Sequence, residues 1–387
     1  MTTIGQRLAA WRGIAPGFDF LRIFLAVAVV AWHVNAIVTG DLSQGRVSFV
    51  WTAGYSILAA FFTLSGFLIA GSAQRLSLGD FLINRGLRIV PALAVEIVLC
   101  AFILGPLVSA LGAAAYFAEG GTWAYLTNIV GVINYHLPGV FEGHPTSIVN
   151  NTLWTVPHEI GCYLIMSLLV LTRGLRRPWL VLGLAVALLG VGLGLQAAGI
   201  GPEDRGGRRL LYVLFVGKAA RLYVCFLLGI AAYLLRDRIV YSWRLFALCC
   251  VAVVLTSTVP MPAGINYPVV NLLLVLPLCY MTAFLGVTDI WLPSWLKRGD
   301  YSYGIYLYGW PIQQMLVEWF PGQRSLPWHF FVAMPLILMF AAFSWHAIER
   351  PILQLRKRFS FVAKVRLASP PVEAPTGAEA SGQPAKA

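Results

Sequence analysis

Apolar stretches of about 20 residues recur along the whole chain, separated by short polar breaks that hold most of the charge, Gly and Pro. A stretch of that length is what a helix needs to cross the hydrocarbon core of a bilayer. The stretches lie near 18–38, 49–71, 87–111, 152–172, 179–198, 210–235, 243–259, 267–286, 301–320 and 329–348. The pattern predicts an all-α, polytopic transmembrane helical bundle of about ten spans. The run 243–259 is short and is followed by Pro260-Met261-Pro262, so it and 267–286 read either as two spans or as one hairpin. The first run has no small-residue cleavage site and reads as a span, not as a removable signal. Segment 112–150 is too long for a plain connector. It carries Gly, Asn, His and Pro and few charges, and is expected to fold back and roof a site. Residues 1–366 read as one transmembrane domain, and 367–387, rich in Pro, Ala, Gly and Ser, as a disordered cytoplasmic tail.

Composition agrees. Of the 387 residues 59% are apolar and 11% charged, against about 25% charged in an ordinary soluble domain. This excludes a soluble enzyme, a disordered regulator and a disulfide scaffold. The net charge of +12 would elsewhere raise nucleic acid as a partner. Here the charges lie between apolar spans and report topology instead. Most of the Arg and Lys fall on alternate connections starting with the N-terminal one, leaving Arg46, Arg205, Arg208, Arg209 and Arg324 on the other side. That bias is expected to place both termini in the cytoplasm. The six Cys (100, 162, 225, 249, 250 and 279) sit inside apolar runs, at spacings that suit neither a metal site nor a disulfide framework.

Ionisable residues inside spans carry the candidate chemistry, because each costs free energy in hydrocarbon. Arg22 and His33 are eleven residues apart on the first span, so they share one face, separated by about 16 Å along the axis. That geometry suits a long anionic ligand held at Arg22 with its reactive end at His33. The alternatives are that Arg22 pairs with Asp19 to anchor the helix end and that His33 is a packed polar residue. Arg85 and Arg88, at i and i+3, project the same way. They form either a phosphate clamp or a positive-inside anchor. Glu159 follows Pro157 in the first turn of the fourth span. It would face a cavity on the outer side and suit proton exchange, or would simply complement the helix dipole.

These segments together resemble the acyltransferase-3 family of integral membrane acyltransferases, from about Phe18 to Pro351. Phe18-Asp19-Phe20-Leu21-Arg22 followed by His33 resembles the family's first helix, and Phe61-Phe62-Thr63-Leu64-Ser65-Gly66-Phe67 its second. Arg85-x-x-Arg88 with Pro91 resembles its third. Leu153-Trp154-Thr155 with Glu159 and Tyr163 is similar to its Trp-Ser-Leu-x-x-Glu element. Tyr301-Ser302-Tyr303-Gly304-Ile305-Tyr306-Leu307-Tyr308 with Trp310-Pro311 is similar to its Ser-Tyr-x-x-Tyr-Leu-x-x-x-Pro element, and Glu349-Arg350-Pro351 to its ending. Two positions depart from the pattern. Gly309 stands where many members have His, and Ile160 where many have a second Glu. Some members carry a soluble esterase-like domain after the last span, which this sequence lacks.

The resemblance implies transfer of an acyl group, usually acetyl, from cytoplasmic acyl-CoA to a glycan hydroxyl: exopolysaccharide, lipid-linked sugar or lipo-oligosaccharide. Arg22, Arg85 and Arg88 would hold the CoA phosphates. His33 would be the general base or a transient acyl carrier, and Glu159 would orient it or take protons. Ser65, Tyr301 and Tyr303 are candidate donors to the thioester oxygen. No tightly bound cofactor and no metal is expected. The partners would be acyl-CoA, the glycan, membrane lipids and proteins of polysaccharide assembly, with no nucleic acid. Two competing readings remain. One is a transporter or flippase for a glycan intermediate, with a His/Glu proton relay. The other is an assembly subunit of an export complex, which would tolerate neutral substitution at His33.

Overall fold

The computed structural model describes residues 2–11, 15–41, 49–258 and 267–359. A short helix, α1 (Ile4–Ala10), precedes ten long ones. These are α2 (Pro16–Thr39), α3 (Phe49–Ala73), α4 (Leu78–Val108), α5 (Asn151–Leu171) and α6 (Pro178–Ala197). They continue with α7 (Gly206–Leu234), α8 (Trp243–Thr258), α9 (Tyr267–Gly286), α10 (Ser302–Trp319) and α11 (Leu326–Gln354). Each of the ten expected spans coincides with one of them. Seven, α2 to α7 and α11, are long and apolar enough by themselves to cross a membrane. Among the described residues there is no strand, only the isolated bridges Thr3–Val240 and Ser109–Val140. The tail 367–387 and the breaker Pro260-Met261-Pro262 lie outside the described residues.

Local chemistry sets the helix ends. Pro16 opens α2, where its missing N–H costs nothing, and Gly40 closes it in the left-handed region at φ 77°. Ser77 caps α4, accepting from the Asp80 N–H, and its hydroxyl donates to the Asp80 carboxylate. Small residues then let helices touch. A Cβ at Gly66 on α3 would collide with the Phe226 carbonyl of α7, and one at Gly229 on α7 with the Thr63 carbonyl of α3. This reciprocal approach is the way helices pack where lipid supplies no hydrophobic drive, and it holds α3 tightly against α7.

Segment 112–150 is part of the bundle. It runs through short helices at Ala113–Ala118 and Gly120–Ala124 and a 3-10 turn at Tyr125–Val130. It then buries Leu137, Val140, Phe141 and Val149 against α4 and α10. Its end is pinned by Asn150, whose amide donates to the Glu96 carboxylate of α4 at 2.8 Å and to the Leu307 carbonyl of α10 at 3.0 Å. The Asn150 side-chain oxygen accepts from the N–H and hydroxyl of Thr152 and so starts the 3-10 turn that leads into α5. Glu96 is fully buried. Its contacts with Asn150 and with the Cys100 thiol at 3.1 Å are what make that burial tolerable, since an unpaired buried carboxylate is strongly destabilising.

Candidate active site

A cavity of about 410 Å³ lies between α2, α3, α4, α5 and α10, a size typical of small-ligand sites. Its wall begins at Leu8, Ser72 and Arg75, near helix ends, and reaches Leu58, Phe61, Thr155 and Tyr306 in the bundle interior. α3 supplies most of the apolar wall. Polar groups converge on it from the other helices: Arg22 from α2, Arg85 and Arg88 from α4, Glu159 and Tyr163 from α5, Ser302 and Tyr303 from the start of α10, and Asp300 from the connection just before it.

Asp300 organises the charged end. Its carboxylate accepts from Arg88 at 2.5 Å and Arg22 at 3.3 Å, and the Ser302 hydroxyl donates to its other oxygen at 2.7 Å. Arg22 also meets Asp19 at 3.1 Å, one turn back on α2. On the far side of Arg88 stands Glu349 of α11, 3.8 Å away and 1% exposed, with the Ser344 hydroxyl donating to it at 3.0 Å. The carboxylates of Asp300 and Glu349 thus fix the Arg88 guanidinium in the cavity wall. Burial by itself would raise the Asp300 carboxyl. The guanidiniums of Arg88 and Arg22, helped by Ser302, overcome this and hold it at about 2, against an ordinary value of 3.8. The cluster is therefore charged at neutral pH, with four arginines, Arg22, Arg75, Arg85 and Arg88, around the cavity.

Six of the residues singled out in the sequence line this cavity together: Arg22, Ser65, Arg85, Arg88, Glu159 and Tyr303. Glu159 shares the cavity of the arginines, whereas the sequence suggested a separate outer-side space for it. The Tyr303 hydroxyl donates to the Ile89 carbonyl at 3.2 Å. Tyr301 and His33 are not among the lining residues. The Tyr301 hydroxyl sits 3.2 Å from Nε2 of His346 on α11. The His33 ring meets the ring of Trp310 edge-on, with centroids 4.9 Å apart. Trp310 is one turn beyond Tyr306 on α10. Asp300, Tyr306 and Glu349 escaped the sequence reading as site residues. For Asp300 the available signal was an acidic residue directly before the Tyr301 motif, at the edge of an apolar run.

A cavity walled by arginines at one end and apolar at the other can hold an anionic ligand with an extended uncharged arm. A carboxyl and hydroxyls lie along that arm. The chain matches the profile of the family described as an acyltransferase domain over residues 16–346. It belongs to the acyltransferase-3 family.

This acyltransferase is 27% identical to an O-acetyl transferase of Shigella phage Sf6, over 87% of this chain and 95% of that protein. It is 26% identical to nodulation protein 10 of Rhizobium leguminosarum bv. viciae, over 89% of this chain and 95% of that one. It is also similar to the peptidoglycan O-acetyltransferase OatA of Listeria monocytogenes, at 28% identity over 48% of this chain and 28% of that protein. No solved structure matches it significantly. With its apolar helices, the family and these relatives make the protein an integral membrane O-acyltransferase.

Both departures from the family pattern have a packing reason. A Cβ at Gly309 would stand 2.8 Å from Cγ2 of Val30, because α2 and α10 come together there. Ile160 is 38% exposed, and its Cδ1 lies against Gly131 of segment 112–150. Restoring the family residue with Gly309→His is expected to cost about 1–3 kcal/mol through overpacking. A lowered thermal midpoint of the purified protein would show it, and an unchanged midpoint would mean that Val30 yields freely.

Proposed function

We propose that this acyltransferase moves an acetyl group from cytoplasmic acetyl-CoA to a hydroxyl of a cell-surface or exported glycan, working in the bacterial inner membrane. The observation that carries the reading is the convergence of Arg22, Arg85 and Arg88 on one cavity with Glu159, Ser65 and Tyr303. CoA is a long polyanion with an uncharged pantetheine arm. Guanidiniums recognise its phosphates as planar forks, and the apolar wall of α3 accommodates the arm. The acetyl group and the glycan acceptor draw support from the names of the phage and Listeria relatives.

In this reading the glycan hydroxyl attacks the thioester carbonyl, and the resulting oxyanion is met by the Ser65 hydroxyl and by that of Tyr303, which turns to it from the Ile89 carbonyl. The carbon–sulfur bond then breaks. His33, beside Trp310 on the acceptor side, takes the hydroxyl's proton. Glu159, in the donor cavity, gives one to the departing thiolate. The products are the glycan ester and free CoA thiol, and the two groups exchange the net proton between turnovers. Tyr301, outside the cavity, is assigned no contact with the thioester. Membrane lipids surround the bundle, and polysaccharide-assembly proteins are the partners that would deliver the acceptor.

The test uses a deletion strain complemented with wild type or His33→Ala at matched membrane abundance, with mass spectrometry of the surface and secreted glycans. An ester that vanishes on deletion, returns with wild type and stays absent with His33→Ala is the expected result. Full restoration by His33→Ala removes His33 from the chemistry. If no glycan ester changes and isolated membranes show no use of acetyl-CoA, a flippase acting on a glycan intermediate becomes the better account.

A further inference from the structure

The deep end of the cavity has the form of a stop. α3 and α5 run into the bundle in opposite chain senses to α10, yet their innermost lining residues coincide: Leu58 and Phe61 on α3, Thr155 on α5, Tyr306 on α10. Phe61 and Tyr306 face each other edge to face, with ring centroids 6.2 Å apart. Tyr306 is fixed, because its hydroxyl is hydrogen-bonded to the Thr155 hydroxyl at 2.7 Å and to the Thr152 carbonyl at 3.1 Å. Trp310, one turn further on, is fully buried and donates to the Ile148 carbonyl. Gln313 donates to the Val30 carbonyl, which locks α10 to α2. Phe61 has no polar atom to tether its side chain, and it is only partly buried, as a cavity wall must be. Along α3 it stands 12 residues, or about 18 Å, inward from the helix end at Ala73.

We propose that Phe61, backed by the anchored ring of Tyr306, is the residue that limits the length of the transferred acyl group. This rests on the reading above, in which acyl-CoA enters from the arginine end. A thioester drawn in by its phosphates presents its acyl group foremost, so the acyl tail is the part that meets the aromatic pair. A two-carbon group fits in front of the rings, whereas each further methylene must displace Phe61. An apolar pocket discriminates one methylene by about 10–200-fold, so the wild type should strongly prefer acetyl over butyryl. Shortening residue 61 moves the stop back towards Leu58. Tyr306 stays in place, held by Thr152 and Thr155.

The experiment measures transfer of radiolabelled acetyl and butyryl groups from their CoA thioesters into alkali-labile ester in isolated membranes. It compares wild type, Phe61→Ala and Phe61→Leu at equal abundance. The expected result is a rise of at least about 10-fold in the butyryl-to-acetyl ratio of kcat/KM for Phe61→Ala, with Phe61→Leu intermediate. Phe61→Leu also covers the case in which the alanine variant fails to accumulate. An unchanged ratio, equal use of both donors by wild type, or loss of all transfer in both well-folded variants would overturn the proposal. The donor reading fails in a distinguishable way: wild-type membranes would then transfer neither group from CoA, whatever stands at position 61.

Discussion

Glu159→Gln is expected to lower acyl transfer by about 10²–10⁴-fold, the range a positioned acid or base contributes, while leaving the protein's abundance and its affinity for CoA close to wild type. The substitution keeps the shape of the side chain and removes only its ability to exchange a proton. Glu159 lines the cavity, and no ion pair holds it among the described residues. Its loss therefore leaves no counter-charge stranded. The measurement is the rate of label transfer at saturating acetyl-CoA. A variant within threefold of wild type would strip Glu159 of a chemical role and leave His33 as the group to account for all proton movement.

Arg88→Ala should fail in two separable ways. In the proposed reading it removes a ligand of the CoA phosphates, which raises the KM for the donor. It also leaves Glu349, 1% exposed, and Asp300 without their shared cation. Stripping one partner from a buried pair costs about 3–5 kcal/mol, so the thermal midpoint should fall as well. The two effects come apart in Arg88→Met combined with Asp300→Asn. That pair is expected to recover part of the stability and none of the donor affinity, and recovery of both would show that Arg88 is only a structural tie. The pH dependence of the tie has a defined sign. The Asp300 carboxyl lies at about 2 in the folded protein against an ordinary 3.8. Its contribution is therefore complete above the ordinary carboxylate range and is lost as pH falls towards about 2. At neutral pH the full cost of breaking the tie is seen.

Much of the architecture was legible in the chain because each helix carries its own signal. An apolar run of about 20 residues has few alternatives in a membrane, and the ten runs all became helices. Arg85 and Arg88 were legible because i, i+3 spacing fixes their common direction. The counter-ions were not. Asp300 lies 278 residues from Arg22 and 212 from Arg88, and no local periodicity records a contact over that distance. The same holds for Asn150 on Glu96 and for Tyr306 on Thr155. The shared cavity of Glu159 and the arginines was missed for a related reason. The sequence places a residue at a depth along its own helix, but its neighbours in the cavity come from α2, α3, α4 and α10, and none of segment 112–150, expected to roof the site, lines it.

The arrangement around Asp300 also bears on how the protein is made. Arg22 and Arg88 enter the bilayer with the first and third long helices, long before the ribosome reaches residue 300. Until then each guanidinium has only lipid headgroups, water or its own helix as company. The charged cluster closes when the start of α10 arrives, and it is completed by Glu349 from the last helix. A chain interrupted after α9 would hold most of the hydrophobic mass of the bundle but lack Asp300 and Glu349, keeping only the Arg22–Asp19 pair of this cluster. The closed cluster is thus a property of the finished chain alone, and a stalled or truncated copy would carry Arg88 without either of its carboxylate partners as a mark of incompleteness.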